Sequence, residues 1–281
     1  MKIKEFSDVL KENISAIYPT DEISGIVRII LEDIFDISYT ESIVYPEKEI
    51  LPNPELSFEM ILKRLKTGEP VQYVCGITEF CGLKFKVDKN VLIPRPETEE
   101  LVGIILSENL KYSPQILDIG TGSGCIAVSL KNKLPYSDVF AMDISCEALN
   151  IANENSKLNN AEIQFIEFDI LNQTDSIMPE LDIIVSNPPY VRLSEKKEMR
   201  ENVLNFEPEI ALFVKDDNSL IFYEKICDFA KINLKTGGKL YFEINEKLSQ
   251  ETIKLIENMG FEDVKLYKDI FDKFRFIGAT K

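Results

Sequence analysis

The sequence predicts an α/β fold: a parallel sheet wound with helices on both faces, preceded by a small helical bundle. Three observations carry that reading. From residue 114 onward, short apolar runs alternate with stretches of helical spacing, the pattern of βαβ units. The apolar run at 116–119 passes directly into Gly120-Thr121-Gly122-Ser123-Gly124 and then into a helix. Residues 1–68, in contrast, place apolar side chains three and four positions apart throughout.

Taken in order, Phe6, Val9, Leu10, Ile14 and Ile17 mark a first helix. Pro19-Thr20 restarts the chain with Thr20 as the expected N-cap, and Ile23, Ile26, Val27, Ile30, Leu31 and Ile34 form the next stripe. Asn53-Pro54 is expected to open a further helix with Phe58, Ile61, Leu62 and Leu65 inward, closed by Gly68. These stripes read as the core of a bundle, not as a cofactor site. Residues 71–74 and 83–87 alternate as strands and predict a hairpin joining two domains. A helix then opens near Pro96 or Thr98. Strands are expected near 116–119, 138–142, 162–167, 182–186, 238–244, 261–267 and 274–279. Helices fall near 124–133, 146–158, 219–234 and 248–258. Residues 191–218, rich in Glu and Lys, read as one long irregular segment of the kind that covers a site or touches a substrate. The expected division is a helical domain at 1–70, a connecting hairpin at 71–94 and an α/β domain at 95–281.

Composition narrows the chemistry. No apolar run approaches the length of a membrane span, and the Lys-rich N-terminus lacks the apolar core of a signal peptide. A cytoplasmic protein with no membrane partner is expected. Five cysteines are odd in number and show no metal-ligand spacing, so reduced thiols and no bound metal are expected. The chain contains no histidine, which excludes a Ser-His-Asp triad, a His-based zinc site and the commonest general base. Its chemistry must run on positioning, carboxylates or backbone acceptors. A formal net charge of −16 opposes extended contact with a phosphate backbone, so no direct nucleic-acid binding is expected. The same acidity also suits solvated helix faces that keep the chain soluble.

Two motifs carry chemistry. The buried-strand run at 181–185 ends in Ser186-Asn187-Pro188-Pro189-Tyr190-Val191. Proline has no N–H and a locked φ, so the Asn187 side-chain oxygen and the Pro188 carbonyl can be held outward as a rigid pair of acceptors. Two acceptors beside an aromatic face suit a planar NH2 group, whether a side-chain amide or an exocyclic base amine. The alternative is an ordinary Pro-Pro turn after a core strand. In the glycine-rich turn, Cys125 occupies the third glycine position of a dinucleotide loop, and the third glycine comes one residue early. G-x-G-x-G preceded by Asp118 instead resembles the loop of S-adenosylmethionine-dependent methyltransferases. Asp143, at the tip of the next strand, is placed to accept both ribose hydroxyls, and Asp169, at the end of the third, to meet the adenine amine.

With these residues in view, the chain resembles the HemK/PrmC-type protein-(glutamine-N5) methyltransferases, which modify peptide chain release factors. The resemblance rests on Gln72-Tyr73 with Gly76, Phe80 and Gly82-Leu83, on LIPRPETEELV at 92–102, on ILDIGTGSGCIAVSL at 116–130 and on IVSNPPYV at 184–191. Phe206-Glu207-Pro208, Ala211-Leu212, Gly237-Gly238, Glu243 and Arg275 add weaker support. One departure stands out: the family usually continues past Glu243 with a glycine and a later glutamine, where this chain reads Ile244-Asn245-Glu246-Lys247. The resemblance implies a class I, Rossmann-like methyltransferase fold with a seven-stranded mixed sheet, and a small N-terminal helical bundle joined to it by a β-hairpin.

It also implies methyl transfer from S-adenosylmethionine to the side-chain amide nitrogen of the glutamine in a Gly-Gly-Gln tripeptide. The family's substrate motif maps onto Asn187, Pro188, Pro189 and Tyr190, and its cofactor loop onto Gly120, Thr121, Gly122, Ser123 and Gly124. Asp143 matches the ribose acid, Asp169 and Ile170 fall at the adenine, and Asn187 borders the cofactor. Tyr190 is expected to pack on the substrate amide or its neighbouring glycines, or else to serve as a core aromatic. Arg95 and Glu97 either line the mouth of the site or form a helix-start ion pair. A monomer acting on release factors is the expected state, with residues 1–70 recognising the protein substrate. The rival functions are a glutamine methyltransferase of a ribosomal protein, an amino-methyltransferase of nucleic acid and a non-catalytic cofactor-binding module.

Overall fold

The structure is a computed structural model describing residues 1–54, 56–109, 113–172 and 178–281. Its internal contacts divide the chain into two units, one of Met1–Ile77 with Arg200–Phe206, the other of Thr78–Met199 with Glu207–Lys281.

In the first unit, the apolar stripes form α1 (Ile3–Ile14), α2 (Thr20–Phe35), the short α3 (Tyr39–Val44), α4 (Phe58–Leu65) and α5 (Val71–Cys75). Ile3, Phe6, Leu10, Ile14, Ile30, Ile61 and Leu65 are buried in one core, with Phe35 and Phe58 edge-on to Phe6. Three local expectations are corrected here. Pro19, not Thr20, occupies the N-cap of α2. The helix expected to open at Asn53-Pro54 opens at Phe58, because Ser57 caps it by accepting from the Met60 amide while the Asn53 side chain closes its own turn on Leu56 N. Residues 71–74, expected as a strand, form α5. Pro70 starts that helix, Gly76 ends it at φ +70°, Val71 and Val74 turn into the bundle core, and Tyr73 is buried as well.

In the second unit the hairpin is β1 (Ile77–Phe80) and β2 (Leu83–Lys86), joined through Cys81 and Gly82, both at positive φ. Two successive left-handed residues give the tight turn whose twist matches paired strands. α6 (Pro96–Glu108), with proline in its first turn, leads to β3 (Gln115–Ile119), α7 (Cys125–Lys133), β4 (Asp138–Asp143), α8 (Cys146–Leu158), β5 (Gln164–Glu167) and β6 (Leu181–Ser186). The segment at 191–218, expected to be irregular, is instead built of short pieces: β7 (Val191–Arg192), a 3-10 turn, α9 (Glu201–Phe206, in the first unit), α10 (Glu209–Leu212), β8 (Phe213–Val214) and a second 3-10 turn. Each is too short to leave a periodic signal, and β7 pairs with β8 across 22 residues. α11 (Ile221–Asn233), β9 (Leu234–Glu243), α12 (Ser249–Asn258), β10 (Glu262–Lys268) and β11 (Phe274–Thr280) complete the unit.

The main sheet is the expected seven-stranded mixed sheet, in the order β10-β11-β9-β6-β3-β4-β5 with only β11 antiparallel to its neighbours. β3 and β6 are buried along nearly their whole length because helices cover both faces, which is why their sequences are mostly apolar, with Asp118 and Asp182 the charged exceptions. The strand order reverses between β3 and β6. In such sheets ligands bind outside the carboxyl ends of the strands at that reversal.

Candidate active site

The carboxyl end of β3 opens into the glycine turn, which is clamped on three sides. The Gly120 and Thr121 amides donate to the Met142 carbonyl at 2.8 and 2.9 Å, holding the turn against β4. The Thr121 hydroxyl donates to Asp118 Oδ2 at 2.7 Å. Asn155 of α8, fully buried, donates to the Ser123 carbonyl at 2.8 Å and bridges it to the backbone of Lys86 in β2. Gly122 sits at φ +54°, and a Cβ added there or at Gly120 would project into empty space. Gly124 differs: a Cβ would approach Ala152 Cβ at 3.1 Å, so this glycine lets α7 and α8 pack closely and does not line the cavity.

A cavity lies over this turn, bordered by Gly120, Thr121, Gly122 and Ser123, by the tips of β4 and β5, and by Ser186, Asn187, Pro188 and Pro189. Asp143 lines it; its two oxygens accept from the Gly122 and Ser145 amides at 2.9 Å, and burial raises its pKa despite those bonds. Asp169 also lines it, with Oδ1 and Oδ2 engaged by the Leu171 amide and the Asn172 side chain. Ile170 is buried in the wall beside Ile144, Ala148, Phe168 and Leu171. Asp118 is fully buried beneath the turn, where desolvation pushes its carboxyl up to about 7. Bare glycine faces, a carboxylate between backbone amides and an apolar slot beside it suit a nucleoside carrying a short charged chain.

Asn187 presents the opposite wall. Its Nδ2 donates to Thr98 Oγ1 at 3.4 Å, and its Oδ1 takes no hydrogen bond from the described residues. The Thr98 hydroxyl donates to Glu243 Oε2 at 2.7 Å, and the Tyr190 hydroxyl donates to Glu243 Oε1 at 2.9 Å. Glu243 is 2% exposed, and burial raises its pKa although these bonds and the Arg275 charge oppose that. Tyr190 therefore turns its phenol beneath the cavity and does not line it. Arg95 lines the mouth and donates to Glu207 Oε1 at 2.6 Å, whereas Glu97 is not among the lining residues.

Two family profiles match the chain: the PrmC N-terminal domain over residues 3–76 and the Methyltransferase small domain over residues 101–206. The chain is 47% identical over 281 residues to the release factor glutamine methyltransferase of Flavobacterium psychrophilum, covering 99% of this chain and 98% of that one. It is 43% identical over 274 residues to the release factor glutamine methyltransferase of Bacteroides thetaiotaomicron, covering 97% and 98%. This chain belongs to the release factor glutamine methyltransferase family. Among solved structures, a methyltransferase from Pyrococcus furiosus shares the fold, with a TM-score of 0.52 and 20% identity over 71% of this chain and 89% of that one.

As a member of the release factor glutamine methyltransferase family, the chain is an S-adenosylmethionine-dependent methyltransferase, and the cavity has the features that cofactor requires. The departure after Glu243 has a local explanation. Asn245 sits at φ −71°, where glycine is not needed, and its side chain donates to the Tyr190 carbonyl and to Glu195. Sequence reasoning passed over Thr98, Asn155 and Glu207 as site-builders. A threonine in a helix's first turn, a glutamate between two short helices or an asparagine within a helix carries no signal until the fold brings its partners to it. No helix among the described residues is long and apolar enough to cross a membrane.

Proposed function

We propose that this chain transfers a methyl group from S-adenosylmethionine to the side-chain amide nitrogen of the glutamine in the Gly-Gly-Gln motif of peptide chain release factors. The observation that carries the reading is Asn187: an amide oxygen at the cavity wall that no described residue engages, beside the buried Pro188. The release factor glutamine methyltransferases of Flavobacterium psychrophilum and Bacteroides thetaiotaomicron, each aligned over nearly its full length, support the substrate.

When bound, the cofactor supplies an electrophilic methyl group on a sulfonium. Gly120, Thr121, Gly122 and Ser123 would cradle its amino-acid portion, Asp143 would accept the ribose hydroxyls, and Asp169 and Ile170 would border the adenine. An amide nitrogen is a weak nucleophile because its lone pair is delocalised into the carbonyl. Asn187 Oδ1 and the Pro188 carbonyl would each accept one N–H of the substrate amide and turn its nitrogen toward the methyl group. Orientation of this kind is worth up to roughly 7–11 kcal/mol in the best intramolecular reactions, so neutral acceptors suffice without histidine. Pro189 keeps the pair rigid, and Tyr190 anchors the turn from below through Glu243. The reading assigns substrate recognition to residues 1–70, the link to 71–94 and catalysis to 95–281, in a cytoplasmic monomer.

The test is radiolabelled methyl transfer from S-adenosylmethionine to purified release factor, ribosomal protein and nucleic acid in parallel. Label in the release factor, lost when its Gly-Gly-Gln glutamine is changed to alanine, is the expected result. Label confined to ribosomal protein or nucleic acid would overturn the assignment.

A further inference from the structure

An asparagine amide presents either an acceptor or a donor, and which end faces the cavity determines whether a substrate NH2 group is held or repelled. We propose that Glu243, acting through Thr98, sets the orientation of the Asn187 amide, making Glu243 and Thr98 positioning residues for methyl transfer. The proposal rests on the reading of Asn187 given above.

The argument follows the hydrogens. Glu243 receives two hydroxyl donors, Tyr190 on Oε1 and Thr98 on Oε2, with the Arg275 guanidinium adding positive charge to the same cluster. A carboxylate has no hydrogen to give, so Thr98 must donate to it. That commits the one hydrogen of Thr98 at 2.7 Å and leaves only lone pairs facing Asn187. Asn187 meets lone pairs favourably with its NH2 end alone. Its Oδ1 is thereby turned to the cavity, where it accepts.

Exchanging Glu243 for glutamine reverses the relay at almost constant shape. The Tyr190 hydroxyl still needs an acceptor, so the new carbonyl oxygen faces Tyr190 and the new NH2 faces Thr98. Thr98 then accepts from that NH2 and donates toward Asn187. The Asn187 amide turns over and presents NH2 to the substrate's own NH2.

The experiment compares Glu243→Gln, Thr98→Val and Thr98→Ser with the wild-type chain. The first readout needs no acceptor substrate: the side-chain 15N–1H2 signals of Asn187, assigned by their loss in Asn187→Asp. They should shift and exchange faster with water in Glu243→Gln, because the NH2 has moved from Thr98 to the cavity. The second is turnover on release factor: kcat should fall about 30- to 100-fold in Glu243→Gln, the size of a lost buried polar partner, with cofactor affinity by calorimetry within about threefold. Thr98→Ser, which keeps the hydroxyl, should turn over at least about tenfold faster than Thr98→Val. Unchanged Asn187 signals in Glu243→Gln would overturn the relay, as would equal damage from Ser and Val at position 98. Should Glu243→Gln fail to fold, the Thr98 pair and its Asn187 signals decide alone. A wild-type chain that leaves release factor unlabelled would instead count against the functional reading, since the Asn187 signals report the relay without it.

Discussion

Arg95 and Glu207 meet at 2.6 Å across 112 residues of sequence, with the Glu207 side chain 1% exposed and Arg95 on the cavity mouth. Glu207 Oε2 also accepts from the Ile93 amide at 3.3 Å, so one buried carboxylate holds both the arginine and the extended chain leading to α6. Pro208, Ile210 and Ala211, directly after Glu207, border the same cavity. Burial makes this pair structural as well as local to the site, and its loss should be felt in both.

Replacing Glu207 by alanine leaves Arg95 without its partner and the Ile93 amide without its acceptor. The expected cost is about 2–3 kcal/mol of stability, reduced from the fully buried case because Arg95 retains some access to water. Urea denaturation checks it. A loss under half a kcal/mol would show that the pair contributes nothing net.

Gly122→Val should abolish S-adenosylmethionine binding while leaving the fold. A branched side chain at φ +54° is strained, and it would project into the space over the turn. Calorimetric titration reads the affinity and far-ultraviolet circular dichroism the fold. Retained affinity would remove the turn from the cofactor site.

Asn187→Ala removes the acceptor proposed for the substrate amide but no described contact of the glycine turn. Methyl transfer should slow at least about fivefold, and up to about 150-fold, for the roughly 1–3 kcal/mol of one buried polar partner, with cofactor affinity nearly intact. Asn187→Asp keeps an acceptor but sets a negative charge beside a cationic cofactor, so partial activity is expected. Single-turnover rates on release factor separate the two variants.

Asp118 gives a pH signature. Its carboxyl is raised from 3.8 to about 7 by burial, so the folded chain holds a proton that the unfolded chain releases at lower pH. The stabilisation is fully present below about pH 4 and is lost as pH rises through about 7. A shift of that size corresponds to about 4 kcal/mol between the limits. Asp118→Asn cannot ionise, so its stability relative to wild type should rise between pH 4 and pH 8. Parallel urea titrations measure the difference, and parallel pH profiles would place the carboxyl in ordinary surroundings.

What the sequence determined by itself was local in origin. The mostly apolar runs at 116–119, 138–142 and 182–186 read as buried strands because little in them suits a solvated face, and β3, β4 and β6 lie there. The glycine turn and Asn187-Pro188-Pro189 declared themselves because their backbone demands are met by few residue types. Where the signal was short, tertiary structure decided. Val71-Gln72-Tyr73-Val74 fits a strand or a helical turn equally well, and burial of Val71, Tyr73 and Val74 together selected the helix. The surroundings of the site were likewise beyond the reach of sequence. Thr98 meets Glu243 across 145 residues, and Asn187 meets Thr98 across 89. A hydrogen bond's direction depends on which partners the fold delivers to each hydroxyl and carboxylate, and no spacing along the chain encodes that.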